Sequence, residues 1–152
     1  SISSLKYRLS PYDIARIVAL LRRGILPIAY EPLLASENHN LRMLGLAIIR
    51  SFGIEIAERQ LHNIIMTEQS PSIVSEAIYT LASLSRPLHH ARIRERVEHM
   101  DNYERKSLCR HLSAEGYSLP DIRKLFSESE SRYAETLINS YKRTLVRTNH
   151  SV

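Results

Sequence analysis

The sequence predicts an all-α domain of stacked antiparallel helix pairs, and three observations carry that expectation. Turn residues are scarce, with four glycines and six prolines in 152 residues, whereas an all-β fold needs many tight turns. Apolar residues recur at helical spacing in segments of roughly 10–17 residues, enough for about nine helices. The apolar pattern itself also repeats along the chain. A hydrophobic fraction of 43% with 24% charged residues suits a globular protein and is too apolar for a disordered one. The length fits one domain, drawn here as residues 1–147, with 148–152 as a frayed tail.

The first clear helix opens at Ser10-Pro11. A serine there can accept a bond from the free N–H groups of the first turn, and proline suits the first helical position. Ile14, Ile17, Val18 and Leu21 follow at helical spacing, and Gly24 ends the run after Arg22-Arg23. A short second helix is expected from Pro27 to Ala35, packing Ile28, Leu33 and Leu34.

Leu41, Leu44, Gly45, Ile48, Ile49 and Phe52 form the next apolar face, which stops at Gly53. Ile56, Leu61, Ile64 and Ile65 form the helix after it. Ser70-Pro71 repeats the cap-and-proline opening and leads into Ile73, Ala77, Ile78, Leu81 and Leu84, with a break at 85–87. Ile93, Val97 and Met100 supply the partner helix. Asp101 and Glu104 have capping-box spacing ahead of Leu108, Cys109 and Leu112. Gly116 then stops the chain, and Ser118 with Asp121 opens a short helix carrying Ile122, Leu125 and Phe126. The last helix carries Tyr133, Leu137, Ile138, Tyr141 and Leu145.

Sliding the Leu41–Gly53 segment by 32 positions aligns Leu41 with Ile73, Gly45 with Ala77, Leu46 with Ile78, Ile49 with Leu81 and Phe52 with Leu84. A further shift of 31 brings Ile78 onto Cys109 and Leu81 onto Leu112. A fixed period of this size marks a solenoid, in which helix pairs bury their apolar faces on one another. Leu41-Arg42, Gly45, Ile48-Ile49, Phe52 and Gly53 resemble the first helix of a HEAT repeat: an apolar residue and arginine, a small residue, a small–apolar pair, then Leu-Gly. The second copy lacks the arginine and has Ser85 in place of the glycine, and no aspartate stands out as the partner of Arg42. The resemblance spans residues 10–127. It implies a HEAT-like, right-handed α-α superhelix used for macromolecular recognition, with no shared chemistry.

Three of the four glycines read as helix stops and Gly45 as a small residue at a helix crossing, so there is no phosphate loop. One cysteine, Cys109, excludes an intrachain disulfide and a multi-cysteine zinc site. It occupies the repeat position of Ile78, which predicts a buried, inert thiol, and His111 lies two residues on, facing away from it. Among seven histidines, His89 and His90 point about 100° apart on a helix and are poorly placed to share a metal. His90, Arg94 and Glu98 read as a solvated face with local ion pairing. The eight tyrosines read as packing residues with polar rims. No catalytic residue, cofactor or metal is therefore predicted.

A binding surface is the better prospect. In a helix-pair solenoid the second helices line the concave face, and here they offer Arg92, Arg94 and Arg96, then Arg123 and Lys124. Arginine is suited to bidentate contacts, although Glu95, Glu98 and Asp121 dilute the stripe. These five residues are the candidate binding site, and a protein partner or another part of the parent chain is the expected ligand. The alternative is a nucleic-acid-binding HEAT-like protein that uses the same basic residues. The net charge of +5 counts against it, because the excess sits near the N-terminus, where Lys6, Arg8, Arg16, Arg22 and Arg23 face only Asp13. That cluster is read as a solubilising cap on the array rather than the flank of a membrane segment. No apolar run approaches the ~18–20 residues of a membrane span, no signal peptide is visible, and a single thiol suits a reducing compartment, so a cytoplasmic location is expected. Ser1-Ile2-Ser3 stands where a methionine would, so membrane attachment is expected only through a segment outside this sequence.

Overall fold

The computed structural model describes residues 10–24, 30–84 and 88–150, with side chains of the last helix as far as Leu145. Among the described residues the structure is all-helical, with nine α-helices and one 3-10 turn and no strand. The helices are α1 (Pro11–Arg22), α2 (Glu31–Leu34), α3 (His39–Phe52), α4 (Glu58–Thr67), α5 (Pro71–Ser83), α6 (His90–Glu98), α7 (Asn102–Ala114), α8 (Leu119–Leu125) and α9 (Glu128–His150). The expected start of the second helix at Pro27, Ile28, the break at 85–87, and Lys6 and Arg8 lie outside the described residues. Helical backbone continues past Thr148, where the tail was expected to begin.

The helices meet in two rows. One runs α1, α3, α5, α7, α9, each touching the next, and the other runs α4, α6, α8. Contacts of α4 and α6 with α5, and of α8 with α7 and α9, join the rows, while α2 lies on α3. The periodicity explains this order: α3, α5 and α7 begin at His39, Pro71 and Asn102, echoing the apolar repeat. Residues matched by that repeat are matched in burial, since Leu46, Ile78 and Cys109 are all fully buried, as are Ile49, Leu81 and Leu112. Burial of such a face, at ~25 cal/mol per Å² of apolar surface, is what drives the stacking.

Local chemistry sets the helix ends. Ser10 accepts a bond from the Asp13 N–H at 3.1 Å while Asp13 accepts from the Ser10 N–H at 3.0 Å, a complete capping box. Ser118 caps the Asp121 N–H at 3.3 Å and Asp101 caps the Glu104 N–H at 2.8 Å. Ser70 sits at the cap position of α5, but its hydroxyl does not cap; it lies 3.0 Å from the Ser72 hydroxyl instead. The neighbouring Glu68 carboxylate takes the Ser70 N–H at 3.1 Å. At Gly53, a φ of 60° turns the chain so that the Ile54 N–H reaches the Ile49 carbonyl at 3.0 Å. Gly116, with φ 89°, allows the same closure from Tyr117 to Leu112. Both are left-handed stops that a side chain would strain.

Gly45 stands at a close crossing. A Cβ built there would lie 3.1 Å from the Leu33 Cβ and 3.1 Å from the Leu34 Cδ2 of α2. Arg42 pairs with Glu68 at 3.4 Å, so a glutamate stands opposite it where an aspartate was sought. Arg50 of α3 pairs with Glu76 of α5 at 2.8 Å and lies 4.7 Å from the Tyr79 ring centre. Two apolar residues depart from expectation. Ile56 is 84% exposed, because it falls in the 3-10 turn Glu55–Ala57 before α4 rather than on the packed face of α4. Leu145 is 64% exposed, because the buried face of α9 ends at Ile138, which is itself only partly buried. Of the described tyrosines, Tyr12 and Tyr103 are largely exposed rather than packed, and Tyr133 and Tyr141 are exposed to a lesser degree.

Candidate interaction surface

The row α4, α6, α8 carries all five candidate site residues between α6 and α8, but the structure divides them. Arg92 is exposed and lines a cavity between α4 and α6. Arg94 is exposed and pairs with Glu98, one turn on, at 3.1 Å, as its spacing predicts. Such an exposed pair contributes about 0.3–0.5 kcal/mol. Arg94 and Arg123 meet around one cavity with Phe126 and Arg132. Lys124 lies beside Asp121 at 3.4 Å. Arg96 turns inward: its guanidinium donates to the Glu68 carbonyl in the α4–α5 connection. The five residues therefore do not form one continuous stripe, because Arg96 is spent on the main chain and Glu98 and Asp121 hold two of the others.

Two groups that the sequence did not point to, Arg59 and His62, lie on the same row, next to His89, which was weighed only as a metal ligand. Arg59 of α4 lines the cavity that Arg92 lines. His62 of α4 and His89 of the connection before α6 bring their rings to 4.8 Å. Burial, then the neighbouring His89, hold the His62 imidazole below its usual range, against the opposing pull of Glu58. The i, i+3 placement of Arg59 and His62 was readable as one helix face. What was not readable was that His89, 27 positions on, lands beside it.

Elsewhere the histidines serve local contacts. His90 Nε2 lies 3.1 Å from the Tyr117 hydroxyl, and burial, followed by the Asp121 charge, pushes that phenol up to about 12. His111 stacks at 5.2 Å on Tyr79, whose hydroxyl donates to Glu115 at 3.1 Å. Among the described residues no three His, Cys, Asp or Glu side chains are grouped so as to hold a metal ion, and no helix is long and apolar enough to cross a membrane.

Cys109 is fully buried, and its thiol donates to the Glu130 carbonyl at 3.5 Å. Burial, helped by the Glu130 charge and opposed by Ser113, pushes the thiol up to about 11. A thiolate is the reactive form. Labelling of native protein by a thiol reagent at pH ~8 should therefore proceed only through opening of the α7–α9 packing. Its rate should rise steeply with urea, and rapid stoichiometric labelling in buffer alone would contradict the buried placement.

No family model matches this chain, and no curated protein or solved structure is significantly similar to it.

Proposed function

We propose that this chain is a non-catalytic interaction module: a HEAT-like helical array, wound as a right-handed superhelix, that docks another protein or another part of its parent polypeptide in the cytoplasm. The observation that carries this reading is the row α4, α6, α8. Its inner faces pack the array through Leu61, Ile65, Ile93, Val97, Ile122 and Leu125, and its outer faces present shallow cavities bordered by arginines. Two cavities share Arg59, one of them bordered by Arg92 as well, and a third holds Arg94 and Arg123. Arginine anchors of this kind dominate many protein interfaces when a partner desolvates them. The basic groups alternate with Glu58, Glu98 and Glu128, which favours a partner of mixed charge over a polyanion.

Affinity capture from lysate of the native organism, with and without nuclease and at two salt concentrations, tests this. A protein that stays bound after nuclease and at the higher salt is the expected result. Recovery of nucleic acid that disappears as salt rises would instead favour the polyanion reading, because counterion release makes such binding steeply salt-dependent.

A further inference from the structure

Among the described residues, five arginines face carboxylates at ion-pair distance: Arg42, Arg50, Arg94, Arg105 and Arg132. Arg59 and Arg92 have no such partner among the described residues and are both exposed. They border one cavity of about 370 Å³, which His62, His89, Glu58 and Met66 complete. The one carboxylate among its described lining residues, Glu58, sits 3.9 Å from His62 Nε2.

We propose that the α4–α6 cavity is a binding site for a phosphate monoester, with Arg59 and Arg92 clamping the phosphoryl oxygens and His62 and His89 donating further bonds. Guanidinium forks match phosphate geometry, and four side chains from two neighbouring helices and the connection that leads into α6 converge here. Among the described lining residues the two arginines and Glu58 sum to a net charge of +1 before any histidine is counted, which suits an anion. The rings of His62 and His89 lie 4.8 Å apart, and burial followed by the His89 neighbour disfavours a proton on His62 in the empty cavity. A dianion held by the arginines beside the rings offsets that cost, so binding favours the protonated His62. Among the described residues, the charged groups facing the pair are Glu58 and Arg59 on α4 and Arg92 on α6. Met66 supplies an apolar wall for the carbon side of the ester. The cavity exceeds a single phosphate, which leaves room for the side chain that bears it.

The source of the phosphoryl group is a phosphoserine or phosphothreonine of the docking partner; for that source alone the proposal rests on the interaction reading above. The test is NMR observation of the histidine ring protons of the full chain, titrated with inorganic phosphate, a phosphoserine peptide and the same peptide unphosphorylated. Phosphate should shift the His62 and His89 signals saturably with a Kd of about 1 mM, more tightly at pH ~6 than at pH ~8. The phosphopeptide should bind at least as well, and its unphosphorylated form should not. Arg59→Gln with Arg92→Gln should weaken binding about tenfold or more at unchanged melting temperature, since both positions are exposed. Absence of saturable shifts, or equal binding by the double variant, overturns the site and leaves the docking reading standing. Phosphate binding without phosphopeptide binding overturns the protein source of the group.

Discussion

Leu81→Ala should lower the unfolding free energy by about 3 kcal/mol and the melting temperature by roughly 10 °C. Leu81 is fully buried in α5, and α5 touches α3, α4, α6 and α7. A cavity there is walled by several elements of both rows, which collapse into it only partly, so the loss exceeds the transfer term of the deleted methyls. Against a total stability of roughly 5–15 kcal/mol, that is a large fraction. Ile56→Ala is the matched control, since Ile56 is almost wholly exposed, and its cost should stay within about 0.5 kcal/mol. Urea unfolding of both variants checks the pair. Equal effects would mean that α5 is not the hub of the packing.

Arg105→Ala should cost a similar amount, about 3 kcal/mol at neutral pH, for a different reason. The Arg105 Nε of α7 donates to Glu130 of α9 at 2.6 Å, and the Glu130 side chain is only 9% exposed. Removing the cation strands a buried carboxylate that keeps only the Ser127 N–H at 2.9 Å and the Ser127 hydroxyl. The pH dependence follows from the direction of the Glu130 shift. Burial pushes this carboxyl up, but bonds from Ser127 and Arg105 outweigh it, and its pKa lies below the ordinary value. A lowered folded-state value gives stability that is present above the unfolded pKa and lost as pH falls through the folded one. In Arg105→Ala burial meets less opposition, so acid protonates Glu130 with less loss. The gap between the native and substituted proteins should therefore narrow between pH 7 and pH ~3.5. Denaturant titrations at both pH values measure it, and a gap independent of pH would remove Glu130 from the explanation.

Most of the fold was legible because the helix signals are local. Ser10-Pro11, Asp101, Ser118, Gly53 and Gly116 act at helix ends through bonds spanning three to five residues, a range that sequence spacing resolves. The 32-residue slide succeeded because a repeat copies tertiary context along with residue type, so Leu46, Ile78 and Cys109 share one environment. Ile56 misled because an apolar residue in the turn before a helix has the same spacing as one on its buried face. Arg96 misled because three alternating arginines on α6 point in different directions, and the middle of the row leans on the α4–α5 connection. The His62–His89 contact and the shared cavity of Arg59 and Arg92 depend on how α4 meets α6, which no local pattern encodes.

The proposed interaction role of the α4, α6, α8 row is tested most directly by quantitative capture with the native chain and with Arg92→Ala plus Arg94→Ala, both after nuclease treatment. These two exposed residues take no part in the core, so the melting temperature should change little while the captured partner falls by about tenfold or more. Undiminished capture by the folded variant would contradict the account and move the docking surface off this row.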